Sequence, residues 1–554
     1  MINLRLLFIC VVFAIINSTN LLAQTSTTST VVQKTFFKFN LKTASTTSAG
    51  VFKSDGTLVR TLWSGEKFAA GDHTRFWDGL DDSGIKVEGG SYTYKVLSNN
   101  VTASWEGVIG NTTKGQRGFF DVVFNMAFSN GFGYMAAGYE EQQPVAYKFP
   151  INDNTNVTPI GTKAATTQFV AADSLRVYWG ASDGDRHWVY ATNVSNDQPY
   201  VPVNSLTVSV YHSPNCVGAM DVYHDQVGTA ASNAFISGLA VQKTGDYLFI
   251  AHKGLNKLNV VNKVTGALVH SISVSTPGPL SIDDNDNLWM ISDTNTVARY
   301  KVNADGTLST ANLTLSGIHI PVAISAKGTT VLVSDLNTQQ VRSFNTATGA
   351  AGAVLGTAGG YSTGPEVTNT KFYWKDKKYS FYGTFLAHQP DGSFWVGDGG
   401  QNNQHYGNCR YMQFAADFTY KDKIMYIPAF YSCVVDKNSP NRTFINYLEF
   451  KINYTQRAID NWELANNWGY NVILNKDDLF TRLRGLQTLS NGRTYAAVGG
   501  GIMDLVELAS GSGLRYTGVQ FGINSQLYPD GNLYTMYEAA TGYPSYWYKN
   551  TLQG

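Results

Sequence analysis

The chain has 554 residues, too many for one ordinary domain and enough for large buried cores. Its 41 basic and 41 acidic residues cancel, which excludes the global electrostatic footprint of a nucleic-acid or anionic-membrane binder. Charged residues are only 15%, whereas Gly (53), Tyr (32) and Phe (29) are abundant, a mix suited to short strands and tight turns.

The chain opens as an export signal. Arg5 is a small basic start, residues 6–16 are apolar, and Leu21-Leu22-Ala23 precedes Gln24, so residues 1–23 are expected to be removed. Cys10 follows Ile9, where a bacterial lipoprotein site needs a small residue, so no lipid anchor is expected. No later run reaches the roughly 18 apolar residues of a membrane span. The mature protein is expected to be secreted, periplasmic or at the cell surface, with no membrane insertion. Cys216, Cys409 and Cys433 remain after cleavage, either as a Cys409–Cys433 bridge beside a single thiol or as three unpaired thiols.

Residues 24–34 read as a Ser/Thr-rich linker without a core-forming pattern. Residues 35–105 then carry strands at short spacing. Alternation starts at Thr35-Phe-Phe-Lys-Phe-Asn-Leu, an Asp55-Gly56 turn joins two strands, and Gly90-Ser-Tyr-Thr-Tyr94 leads into another. The string Asp55-Gly-Thr-Leu-Val-Arg60, then Trp77-Asp-Gly-Leu-Asp-Asp-Ser-Gly84, then Gly90-Ser-Tyr-Thr-Tyr94 resembles the FlgD-type immunoglobulin-like domain. The resemblance implies a β-sandwich with Trp77 in its core and Asp-Gly pairs in its turns. Asp78, Asp81 and Asp82 form an acidic cluster that is either a set of solvated turn carboxylates or a structural Ca²⁺ site; no other cofactor or metal is expected.

From residue 117 to 554 a different rhythm takes over. Leu288-Trp-Met-Ile-Ser-Asp293, Val331-Leu-Val-Ser-Asp335 and Phe394-Trp-Val-Gly-Asp398 are each followed by an Arg beside or near an aromatic, at Arg299, Arg342 and Arg410. Tyr247-Leu-Phe-Ile-Ala-His252 is a weaker copy with His in the Asp place. The first spacings are roughly 42 residues, the period of four-stranded propeller blades. The copies are similar to NHL and YVTN-type propeller repeats. The expected fold is therefore all-β: a small Ig-like β-sandwich, then a β-propeller of six to eight blades, with seven expected and C-terminal strands completing the first blade.

Two stretches break the period, near 359–380 and 402–408, and a third irregular run extends from Tyr426 through Trp468. Insertions in repeats fall in loops, where function concentrates. Trp374, Tyr406, Trp462 and Trp468 are the candidate ligand-binding residues, because flat rings with polar edges stack on sugars. His252, His405, Asp398 and Arg410 are the candidate catalytic residues, if any are. The repeated Asp and Arg residues have a plainer reading as turn caps and local pairs. The chain lacks GxxxxGK[ST], HExxH and GxSxG, so nucleotide and common hydrolase chemistry has no foothold. The expected function is an exported binding protein whose loop face recognises a glycan or an extracellular protein. The alternatives are a propeller-fold polysaccharide lyase or glycoside hydrolase, and a structural surface protein.

Overall fold

In the computed structural model of the chain, the described residues are 34–104, 108–114, 123–138, 144–161, 164, 166–210, 214–224, 235–374, 384–398, 408–427, 432–436, 438–456, 461–469, 483–499, 502–522, 524–527, 532–537 and 546–551. The expected export signal and nearly all of the linker lie outside them. The chain divides into two compact units, Met1–Trp105 and Glu106–Gly554.

The first unit holds two antiparallel sheets. Thr35–Leu41 pairs with Gly71–Trp77, and Ser45–Phe52 lies between Leu58–Phe68 and Thr93–Asn99. Alternation puts Phe37 and Leu41 inside and leaves Phe36, Lys38 and Asn40 outside. The inward rings of one sheet meet those of the other: Phe37 stacks on Trp63 at 6.2 Å and Phe39 meets Phe68 edge-on at 5.5 Å. Trp77 is buried beside Val51 and Val59, and its indole N–H donates to the Leu80 carbonyl at 2.8 Å. The acidic cluster caps turns: Asp78 accepts from Leu80 N, Asp81 from Ser83 N and Ile85 N, and Asp82 from Thr61 N.

In the second unit, residues 123–160, 166–224, 238–273, 280–314, 321–355 and 386–425 form six antiparallel sheets, blades 1 to 6 in chain order. Their innermost strands are Val123–Ser129, Thr166–Ala172, Gly238–Val241, Leu280–Ile282, Pro321–Lys327 and Leu386–His388. Each inner strand packs beside the next, and the sixth returns to the first, so the ring closes at six blades. That lies within the expected range and one below the expected seven.

Closure also differs from expectation. Blade 1 takes all its strands from residues 123–160, and blade 6 seals against it through Phe149, Trp395, Tyr411 and Ile424. The C-terminal strands build three further sheets instead, at 433–467, 483–522 and 524–551, whose first strands adjoin in sequence. Packing between blades is aromatic: Trp179, Trp188, Trp289 and Trp395 are wholly buried, each removing roughly 150–250 Å² from water. Among the described residues, Cys216, Cys409 and Cys433 form no disulfide. No helix there is long and apolar enough to cross a membrane.

Candidate functional site

The last strand of each blade in sequence leads back to the centre to begin the next, so all six inner strands run the same way along one axis. They enclose a cavity of about 1000 Å³. Its wall is mixed. Phe124 and Phe128 of blade 1, Phe169 of blade 2, Phe235 just ahead of blade 3 and Phe385 just ahead of blade 6 supply aromatic wall. Ser281 of blade 4, Ser325 of blade 5 and His388 of blade 6 supply polar wall. Gln168 of blade 2 also lines the cavity; its buried amide Nε2 has no hydrogen-bond partner, a cost of about 1–3 kcal/mol when left unmet.

The charged groups gather where the inner strands end. Lys327 is the last residue of its strand, and Lys243 and Asp284 stand two residues past theirs. Lys327 Nζ bonds Asp284 Oδ1 at 2.8 Å, and Gly328 N–H donates to the other carboxylate oxygen at 2.9 Å. Burial works to raise the Asp284 pKa, but these two bonds outweigh it and the net shift is downward. Lys243 Nζ donates to the Ala172 carbonyl at 3.0 Å; its side chain is open to the cavity yet walled by protein, and the lost hydration lowers its pKa. The cavity is thus lined by Lys243, Lys253 and Lys327 against one carboxylate, Asp284, on a chain with no net charge.

His388 is held by a hydroxyl. The Ser325 Oγ accepts the His388 backbone N–H at 3.1 Å and lies 2.9 Å from its Nδ1. The hydroxyl keeps a second lone pair, so the contact holds the ring in place whichever of its nitrogens carries the hydrogen. Burial, and then the nearby Lys327 charge, lower the His388 pKa to about 4, so the ring is neutral at pH 7. Ser281 Oγ accepts the Ala326 N–H at 3.0 Å, which leaves its own hydrogen to donate.

The residues singled out by sequence sit elsewhere. Trp374 is only 3% exposed: its ring stacks on Phe372 at 4.8 Å and its N–H donates to the Gly397 carbonyl. Trp468 is 4% exposed and bonds Glu449 at 2.7 Å. Neither presents a stacking face to solvent. Trp462 is partly exposed, with Phe450 at its edge and the Lys423 ammonium 5.5 Å above its ring. His405 and Tyr406 lie outside the described residues.

Asp398 and Arg410 form a buried pair at 2.7 Å, and that pair anchors the 359–374 segment. Asp398 accepts the Tyr373 N–H, and Arg410 donates to the Thr368 and Lys371 carbonyls. Asn408 donates to both Asp398 and the Tyr361 hydroxyl, which ties it to the 359–374 segment. From there the segment reaches the C-terminal sheets: Val367 N–H donates to Ala465, and Asn467 N–H to Pro365. It is a strap between the ring and those sheets.

The other repeat residues also hold blades together. Asp335 caps the His319 and Ile320 N–H groups arriving from blade 4. His252 is fully buried, with Nε2 2.7 Å from Asp221 of blade 2, and Asn259 bonds the same carboxylate. Arg299 does not pair with Asp293; it donates to Asn312 and to the Thr346 carbonyl of blade 5.

The cavity residues were missed because they lie in inner strands that read as ordinary core. The available signal was a small polar residue inside an apolar run: Ser281 in Leu-Ser-Ile and Ser325 in Ile-Ser-Ala, at the same blade position.

Residues 24–101 match the FlgD Ig-like domain family. No curated protein matches the chain. Solved structures with a similar fold include the RRP9 WD40 repeats, 10% identical over 62% of this chain and 92% of that one (TM-score 0.37). The WD40 β-propeller domain of Doa1 is 11% identical over 62% and 94% (TM-score 0.33). A protein from Lactobacillus plantarum is 13% identical over 60% and 94% (TM-score 0.34). The chain thus carries an Ig-like match at residues 24–101 and, later in the sequence, a six-bladed ring.

Proposed function

We propose that this chain is an exported glycan-binding protein whose ring admits a saccharide into the central cavity, with the Ig-like module as spacer or docking unit. The observation that carries this reading is the mixed aromatic and polar wall. Phenylalanine rings offer flat apolar faces to a sugar, while the Ser281 hydroxyl and the Gln168 amide offer hydrogen bonds to its hydroxyls. Export rests on the basic-then-apolar opening of the sequence. Binding is preferred to hydrolysis because Asp284 is the single carboxylate among the described cavity-lining residues and is held by Lys327, whereas glycosidases need a carboxyl pair.

The test is titration of the purified chain against a panel of soluble polysaccharides, beside the variant Phe169→Leu. That change keeps apolar volume and removes the ring. The expected result is binding by the natural chain and loss of about tenfold in the variant at an unchanged melting temperature. Binding that ignores the substitution, or no binding across the panel, overturns the cavity as a glycan site.

A further inference from the structure

We propose that the outer rim of blade 2 is a docking surface for a second copy of this chain, independent of the cavity. Blade 2 departs from the other five. Each of those has four strands, whereas blade 2 has six, the additional ones being Pro199–Tyr200 and Leu206–Val208. The stretch that supplies them leaves Val201, Val203 and Leu206 exposed, Val203 by 82% and Leu206 by 62%. Val217, opposite Thr207 on the neighbouring strand, is exposed as well. Blade 3 continues the patch. The Asn204 N–H donates to the Thr265 carbonyl and the Tyr200 hydroxyl to the Val264 carbonyl, both at 2.8 Å, so the exposed Val264 and Leu268 border the same surface. Aliphatic side chains gathered this way make a patch of roughly a few hundred Å², the size at which an apolar surface marks an interaction site.

The occupant follows from charge and from a free strand edge. Residues 198–217 and 264–273 contain no Asp, Glu, Lys or Arg, on a chain that is 15% charged. Lys263, which immediately precedes Val264, is buried and bonded to Asp173. Depletion of charge is the compositional mark of an interface core, and interfaces between identical subunits are the more apolar ones. A glycan would find little to stack on, because the Tyr200 ring beside the patch is covered by the Arg176 guanidinium at 3.8 Å. A membrane surface would want Lys or Arg around the apolar residues, and these stretches have none. An identical surface meets the requirements. An uncharged apolar patch is complementary to itself and meets no like-charge repulsion about a two-fold axis. Leu206–Val208 is also the end strand of its sheet, with no strand on its far side among the described residues and no charge to deter one. Two such edges can run antiparallel across the axis and continue one sheet into the other. A standard interface buries roughly 800 Å² on each partner, so the aliphatic patch is its core and the exposed Asn204, Thr207 and Asn215 are its rim.

The experiment is sedimentation velocity over a concentration series of the purified full chain, Val203→Asp, Leu206→Asp and Leu97→Asp, with a circular dichroism spectrum of each to confirm the fold. Leu97, in the first unit, is 73% exposed and serves as the control for an added surface charge. The natural chain and Leu97→Asp should sediment as dimers at roughly 10 µM. Val203→Asp and Leu206→Asp should each weaken the dimer by about tenfold or more, because each would bury a charge without a partner. Their spectra should match that of the natural chain, and if one substitution disturbs the fold the other carries the test. A natural chain that stays monomeric throughout the series overturns the proposal, even if this rim then captures a different protein. A dimer that persists in both variants, or one that Leu97→Asp dissolves equally, also overturns it.

Discussion

Burial sets the protonation state of His388, beside a Ser325 hydroxyl that accepts its backbone N–H and bonds its Nδ1. Burial then keeps it neutral down to about pH 4. In the unfolded chain the same ring takes its proton near pH 6.5. Between those two values the unfolded state binds more protons than the folded one, so stability falls as pH drops from about 6.5 to about 4 and is flat in this respect above that window. Thermal melts across pH 4–7 should show the natural chain losing stability more steeply than His388→Gln. Parallel curves for the two proteins would contradict the burial-driven shift. None of this was legible in the sequence, where His388 is one histidine before a blade turn. Its chemistry depends on Ser325, 63 positions earlier, and on Lys327, both brought to it by the neighbouring blade.

Among the elements, the strap at 359–374 changes the meaning of the conspicuous aromatics. The period break and the Asp398 and Arg410 positions were readable from spacing. Which way the rings point was not. A Trp in a period-breaking insertion has the same local signature whether it lines a cleft or seals a contact. Trp374 seals one, against Phe372 and the Gly397 carbonyl. The strap hangs on the Asp398–Arg410 pair, whose two side chains are 0% and 3% exposed. Removing one partner of a buried pair costs about 3–5 kcal/mol because the other charge is left uncompensated. Arg410→Met should therefore lower the denaturant midpoint strongly and open the Pro365–Lys371 stretch to limited proteolysis, since that change also removes the bonds to Thr368 and Lys371. Wild-type protease resistance in that variant would mean the strap is held by other contacts.

For the whole molecule, the repeat gave the all-β ring, and the Trp77 and Asp-Gly pattern gave the sandwich. The blade count was off by one because C-terminal strands with blade-like spacing stack as their own sheets while blade 1 draws on local strands. The spacing of a repeat reports its length and not which copies share an axis. The functional centre was hidden for a related reason: it is assembled from one or two residues of each blade, and no segment carries it alone. The charge balance of the chain hides it too. Zero net charge overall coexists with three lysines against one aspartate around the cavity. The most direct measurement is a crystal structure of the chain with an oligosaccharide bound. The account predicts the sugar inside the six-bladed ring, with its apolar face against Phe169. A saccharide on the outer strands or beside Trp462, with the central cavity empty of it, would contradict the account.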